Sequence, residues 1–150
     1  MEWKDRILII AAAVGGTMAQ ILGGWDAALQ VLICFMGADY MTGLGTGLFR
    51  RSGKTESGGL SSQAGFRGLV RKCAMLVLVL LGALLDRATG NSCIRDGICL
   101  FLIANEGLSI LENLGLMGVP YPRFLRNILE ALKDKGDSPK GATQPKEKGR

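Results

Sequence analysis

The sequence predicts an all-α integral membrane protein of several spans, four by the fullest reading and three by the alternative. Three observations predict this. First, 48% of the 150 residues are hydrophobic, and the charges cluster between apolar runs of helical length. Second, glycine fills 22 positions, well above the usual ~7%. Much of it lies inside the apolar runs, where a membrane bundle tolerates it and a soluble helix is weakened. Third, the Lys and Arg residues border those runs, which suits anionic headgroups. The net charge of +5 is therefore read as directed at the lipid bilayer, not at nucleic acid.

The first expected span covers residues 5–24. Its apolar run, Ile7–Leu22, would be about 24 Å long as a helix. Trp3 and Trp25 bracket it where interfacial aromatics sit. A signal peptide is the rival reading, with Lys4 and Arg6 before the run and Thr17-Met18-Ala19 as the cleavage site. Apolar sequence continuing past that site speaks against it. In the three-span alternative this segment is lost or lies on the surface.

The second span is expected at 27–49. Thr42, Gly43, Thr46 and Gly47 share a side with Asp39, and Gly43 and Gly47 form a G-x-x-x-G pair of the kind that lets helices approach. These five are candidates for helix packing or triggering. The plainer reading is that Asp39 caps or bridges within a bundle. Arg50–Lys72 is a polar connection broken at Gly58-Gly59. Ser61 or Ser62 can cap a helix running on through Phe66 and Leu69. Arg67, Arg71 and Lys72 are expected at the headgroups as a basic anchor. The third span, 70–88, centres on Cys73–Leu85, only about 20 Å long. Snorkelling of Arg71 and Lys72, or inclusion of Asp86–Thr89, must complete it. A turn follows at Thr89–Cys93, centred on Gly90-Asn91.

The fourth span, 98–117, carries Asn105, Glu106, Ser109, Glu112 and Asn113. At about 100° per residue these fall within roughly a third of the helix circumference. An acid at the centre of a membrane helix costs roughly 2.5–3.5 kcal/mol on insertion scales. Such a face needs partners or water, unless the stretch is an amphipathic core helix of a soluble protein. The other side is Leu100, Ile103, Ala104, Gly107, Ile110, Leu111 and Leu114. Gly115, Gly118, Pro120 and Pro122 end the span. Residues 122–135 then read as an interfacial amphipathic helix, with Phe124, Leu125, Ile128, Leu129 and Leu132 on one side. Arg126, Glu130 and Lys133 lie elsewhere on it. The membrane domain is thus 1–135, and 136–150 is a disordered basic tail by composition.

Basic residues set the orientation. The N-terminus has two, the Arg50–Lys72 connection six and the C-terminal region eight, against two in Asp86–Gly97. Both termini and the connection are therefore expected in the cytoplasm. Cys34 and Cys73 read as packing residues. Cys93 and Cys99 can pair only in an oxidising compartment, and free thiols are the default. Histidine is absent, which removes the commonest general base. No phosphate loop, nucleophile–base pair or metal cluster appears, so neither enzyme activity nor a cofactor is expected.

Three stretches together resemble a known family. Ile103–Leu132, with its N-E-x-x-S-x-x-E-N pattern, resembles the C-terminal signature of the phage holins that include toxin-secretion holins. Asp39-Tyr40-Met41-Thr42-Gly43 resembles that family's D-x-x-T-G element. Ser61-Ser62, Gly65, Gly68 and Arg71-Lys72 resemble its S-S-x-x-G-x-x-G-x-x-x-K element. The likeness covers about residues 35–133. It implies a homo-oligomer in the bacterial inner membrane that opens timed lesions, with an endolysin, and in some systems an antiholin, as functional partners. Toxin release is a related role. Before triggering, Asp39 and Thr46 would oppose Glu106 and Asn113, and on opening the Asn105–Asn113 face would meet water. Two readings of other classes remain: a small ion-channel or transporter subunit using Asp39 and Glu106 as a cation path, and an anchoring protein using its basic tail.

Overall fold

The computed structural model describes residues 2–48 and 62–137, and the described residues form helices joined by turns. The helices are α1 (Trp3–Ile21), α2 (Ala27–Leu48), α3 (Ser62–Thr89), α4 (Ile94–Leu116) and α5 (Arg123–Asp137). Most of the expected connection and the tail lie outside the described residues. Three helices, α2, α3 and α4, are long and apolar enough to cross a membrane. The protein is thus an all-helical, multi-span membrane protein. The expected span at 5–24 meets α1, which includes Lys4, Asp5 and Arg6 within its 19 residues. Its remaining apolar stretch, Ile7–Ile21, is about 22 Å long.

α4 is the central element. Its buried residues lie on both the polar and the apolar sides expected from sequence: Cys99, Leu102, Ile103, Ala104 and Leu111, but also Glu106 and Asn113. Packed against it, Leu29, Leu32 and Met36 of α2 and Met75 and Val79 of α3 recur at helical spacing and complete the core. α2 runs parallel to α4, since Asp26 meets Arg95 at one end and Gly45 meets Met117 at the other. α3 runs antiparallel to both, with Gly82 against Arg95 and Ile98. Gly90, at φ +68°, ends α3 by turning the chain, and the Asn91 N–H donates back to the Asp86 carbonyl at 3.1 Å.

α4 begins four residues before the expected boundary because Asp86 caps it from a distance. Its two carboxylate oxygens accept the Ile94 and Arg95 N–H groups, each at 3.0 Å. A carboxylate there also complements the positive end of the helix dipole.

Among the described residues, much of the apolar surface is exposed. On α1 only Ala19 is buried, while Ile7, Leu8, Ile9 and Ile10 are exposed. On α3, Phe66, Leu69, Val77 and Leu81 face outward. Such surface suits lipid tails. Cys34 and Cys73, expected as packing residues, also face outward, while Cys99 is buried; all four cysteines are free.

α5 does not lie across the end of the bundle. It returns antiparallel along α4 as part of the most extensive helix pair. Tyr121 sits by Gly115, Leu129 by Gly107, and Gly136 by Gly97. A Cβ at Gly107 would come within 2.8 Å of Leu129, and one at Gly136 within 2.5 Å of the Phe101 nitrogen. Glycine at these positions lets the two helices touch closely.

A buried ion cluster as the candidate functional site

Three stretches singled out in the sequence meet at one place. From α2 comes Asp39, from α3 Lys72, and from α4 Glu106 and Asn113, all buried. The Lys72 Nζ donates to Asp39 Oδ2 at 2.8 Å and also to Glu106 Oε2. Asn113 Nδ2 donates to Asp39 Oδ1 and to Thr42 Oγ1, each at 3.1 Å. Tyr40 lies over the small residues Gly65 and Gly68 of α3, which brings Lys72, one turn further on, to the level of Asp39. Among the described residues no buried side-chain N or O lacks a hydrogen-bond partner.

The charged members of the cluster lie well inside their helices, Asp39 nine residues from Leu48, Lys72 ten from Ser62 and Glu106 ten from Leu116. Along the helices the cluster lies roughly 17–21 Å from the layer formed by Asp26, Asp86 and Arg95, at 1.5 Å per residue. In a hydrocarbon core about 30 Å thick it sits inside, with no bulk water to solvate a lone charge. Pairing is what makes these residues tolerable there. Formally the cluster holds one ammonium and two carboxylates, bridged by the ammonium.

The Asp26 layer is a second polar anchor. Asp26 is the N-cap of α2, its Oδ1 accepting the Leu29 N–H at 2.9 Å. Its two oxygens also accept from Arg95 Nη1 at 2.6 Å and Nη2 at 3.1 Å, a paired fork. Arg95 Nε donates to the Leu22 carbonyl at 2.5 Å. The turn carries Gly23 at φ +99°, where a Cβ would strike the Arg95 side chain at 2.5 Å. The Arg95 guanidinium holds the Asp26 carboxyl below its ordinary pKa.

The expected residues are therefore divided. Glu106 and Asn113 point into the bundle beside Asp39 and Thr42, Asn105 and Ser109 are half-buried, and Glu112 is exposed. The five do not form one water-facing side in this structure. Lys72, expected at the headgroups, is buried between two acids, whereas Arg67 and Arg71 are exposed. Thr46 is buried, but its hydroxyl bonds the Gly43 carbonyl of its own helix at 2.8 Å. Gly43 is half-buried and Gly47 buried. Sequence reasoning missed the Asp26–Arg95 fork and the Asp86 cap. A usable signal for Lys72 existed: two intramembrane acids need a cation, and Lys72 directly borders an apolar run.

Comparison with known proteins gives one family. The model of the bacteriophage holin family matches residues 16–134. An uncharacterised protein of Clostridium perfringens strain 13 is 38% identical over 126 residues, 83% of this chain and 88% of its own. An uncharacterised protein of Listeria monocytogenes is 38% identical over 116 residues, 77% of this chain and 78% of its own. A probable holin of Bacillus phage phi105 is 34% identical over 79 residues, covering 52% of this chain and 58% of that protein. No solved structure matches.

Proposed function

Because the chain belongs to the bacteriophage holin family, whose members permeabilise membranes and are not enzymes, we propose that it assembles with copies of itself in the bacterial cytoplasmic membrane. At a set moment the assembly opens lesions through which an endolysin, or a toxin, leaves the cell. The observation that supports this is the buried cluster of Asp39, Lys72, Glu106 and Asn113. It makes α2, α3 and α4 a unit whose polar groups are satisfied within one chain. Such a unit can sit in lipid as a monomer, accumulate without leaking, and then serve as a wall segment of a larger opening. The channel or transporter reading finds no support in this arrangement, since the ammonium of Lys72 stands between the carboxylates that a cation would use.

The test is expression in a bacterium with and without a cytoplasmic endolysin. An abrupt, endolysin-dependent fall in turbidity is expected. Ion leakage with no endolysin release would favour the channel reading.

Orientation is part of the same proposal. The six basic residues expected in the Arg50–Lys72 connection, against Arg87 and Arg95 at the other end, place the α3–α4 turn outside by positive-inside counting, and Cys93 in that turn is exposed. An impermeant thiol reagent added outside should therefore label Cys93 before lysis. Protection of Cys93, with labelling of a cysteine placed at Ser57, would reverse the orientation.

A further inference from the structure

α5 is two-faced. Arg126, Asn127, Glu130 and Asp134 are exposed along one side. Leu129 and Gly136 lie against α4, and Phe124 and Ile128 are exposed apolar residues beside them. The Arg126 Nε donates to Glu130 at 2.9 Å along the charged side. Lys133 is half-buried, its Nζ 5.5 Å from the Phe101 ring centre of α4.

The placement of this helix is what matters. Its 15 residues are about 22 Å long at 1.5 Å per residue. It follows α4 from the level of Gly115 to that of Gly97. Where α4 crosses the hydrocarbon, the charged side of α5 is carried through it too. Lipid cannot face that row of charges, whereas the exposed surfaces of α1 and α3 are rich in apolar side chains and suit lipid. The molecule therefore has a lipid-facing side and, from Arg126 to Asp134, a charged stripe about 12 Å long that requires water.

We propose that α5, and not the polar side of α4, lines the aqueous passage of the assembled lesion. This rests on the permeabilising function proposed above and names the surface that carries it. Copies arranged side by side turn the Arg126–Asp134 stripe inward and the α1 and α3 surfaces outward. Docking of α5 on α4 and assembly are then linked, because a lone copy in lipid has no water to place against the stripe. In such a copy α5 leaves α4 for the headgroup surface. The docked helix also brings Gly136 to the level of Gly97, at the end of the bundle that holds Arg95.

The experiment uses the full chain, with its native cysteines replaced by serine, in vesicles of phosphatidylethanolamine and phosphatidylglycerol loaded with a fluorescent dye. Two variants are compared. In the first, Gly107→Cys with Leu129→Cys, oxidation should form a disulfide at mid-depth and dye release should persist within about twofold of the reduced protein. In the second, Glu130→Cys, a bulky charged thiol reagent should cut release at least fivefold, while the same reagent on Phe66→Cys should leave it unchanged. Failure of the disulfide to form would place α5 away from α4 and overturn the proposal. So would full modification of Cys at 130 with undiminished release. A cysteine-free parent that releases no dye fails the permeabilising function itself, and the lining with it, which separates that failure from the other two.

Discussion

Lys72→Met is expected to give a protein that accumulates poorly in the membrane and permeabilises it weakly. Methionine keeps much of the length of the side chain but removes the ammonium. Asp39 and Glu106, which Lys72 bridges, then face one another across a buried site. Breaking a buried ion pair by removing one partner typically costs about 3–5 kcal/mol. That is a large share of the roughly 5–15 kcal/mol that holds a small protein together. Lys72→Met combined with Glu106→Gln returns the cluster to its original formal charge and leaves Asp39 with the Asn113 amide, so it should recover much of the loss. Membrane abundance and dye release, measured for both variants, check this. Equal abundance and activity for Lys72→Met and the parent would remove the cluster from the account.

Arg95→Ala should have the second largest effect, at the other end of the bundle. It deletes the fork to Asp26 and the bond to the Leu22 carbonyl. Hydrogen bonds to charged groups contribute about 1.5–3 kcal/mol each when buried, but Asp26 is half exposed, which reduces the ion-pair part. The expected consequence is local: the α1–α2 turn loosens and α1 loses its hold on α4. Protease should then cut near Gly23–Asp26 in detergent-solubilised protein, where the parent resists. Arg95→Lys should rescue only in part, since an ammonium cannot make the two-pronged contact. The pH dependence has a definite sign. Asp26 has a lowered pKa, so its contribution is present above its ordinary pKa of 3.8 and is lost as pH falls through the lowered folded value.

The apolar runs and their breaks were legible in the sequence because period and composition are local properties. Asp39, Glu106 and Asn113 stood out for the same reason: polar groups in an apolar run are conspicuous. Lys72 was harder. At the border of a run, a lysine can snorkel to the headgroups or turn inward, and only the partners on two other helices decide between them. The start of α4 was misplaced because its cap, Asp86, lies eight residues before Ile94, across a turn. The position of α5 was illegible for a similar reason. An amphipathic helix has the same pattern on a membrane surface as against another helix, and the space left at Gly97 and Gly107 is what decides.

The central claim is that each chain acts as a closed three-helix unit whose ion cluster stays shut while the lesion is open. A disulfide between Gly45→Cys and Met117→Cys, its formation checked by loss of free thiol, tests it, since Gly45 faces the Met117 side chain and the bridge would tie α2 to the end of α4. With the native cysteines replaced, dye release from vesicles is measured before and after oxidation. The account predicts that the bridged protein releases dye at the rate of its reduced form. Abolition of release on bridging, restored by a reductant, would mean that α2 and α4 must part and would contradict it.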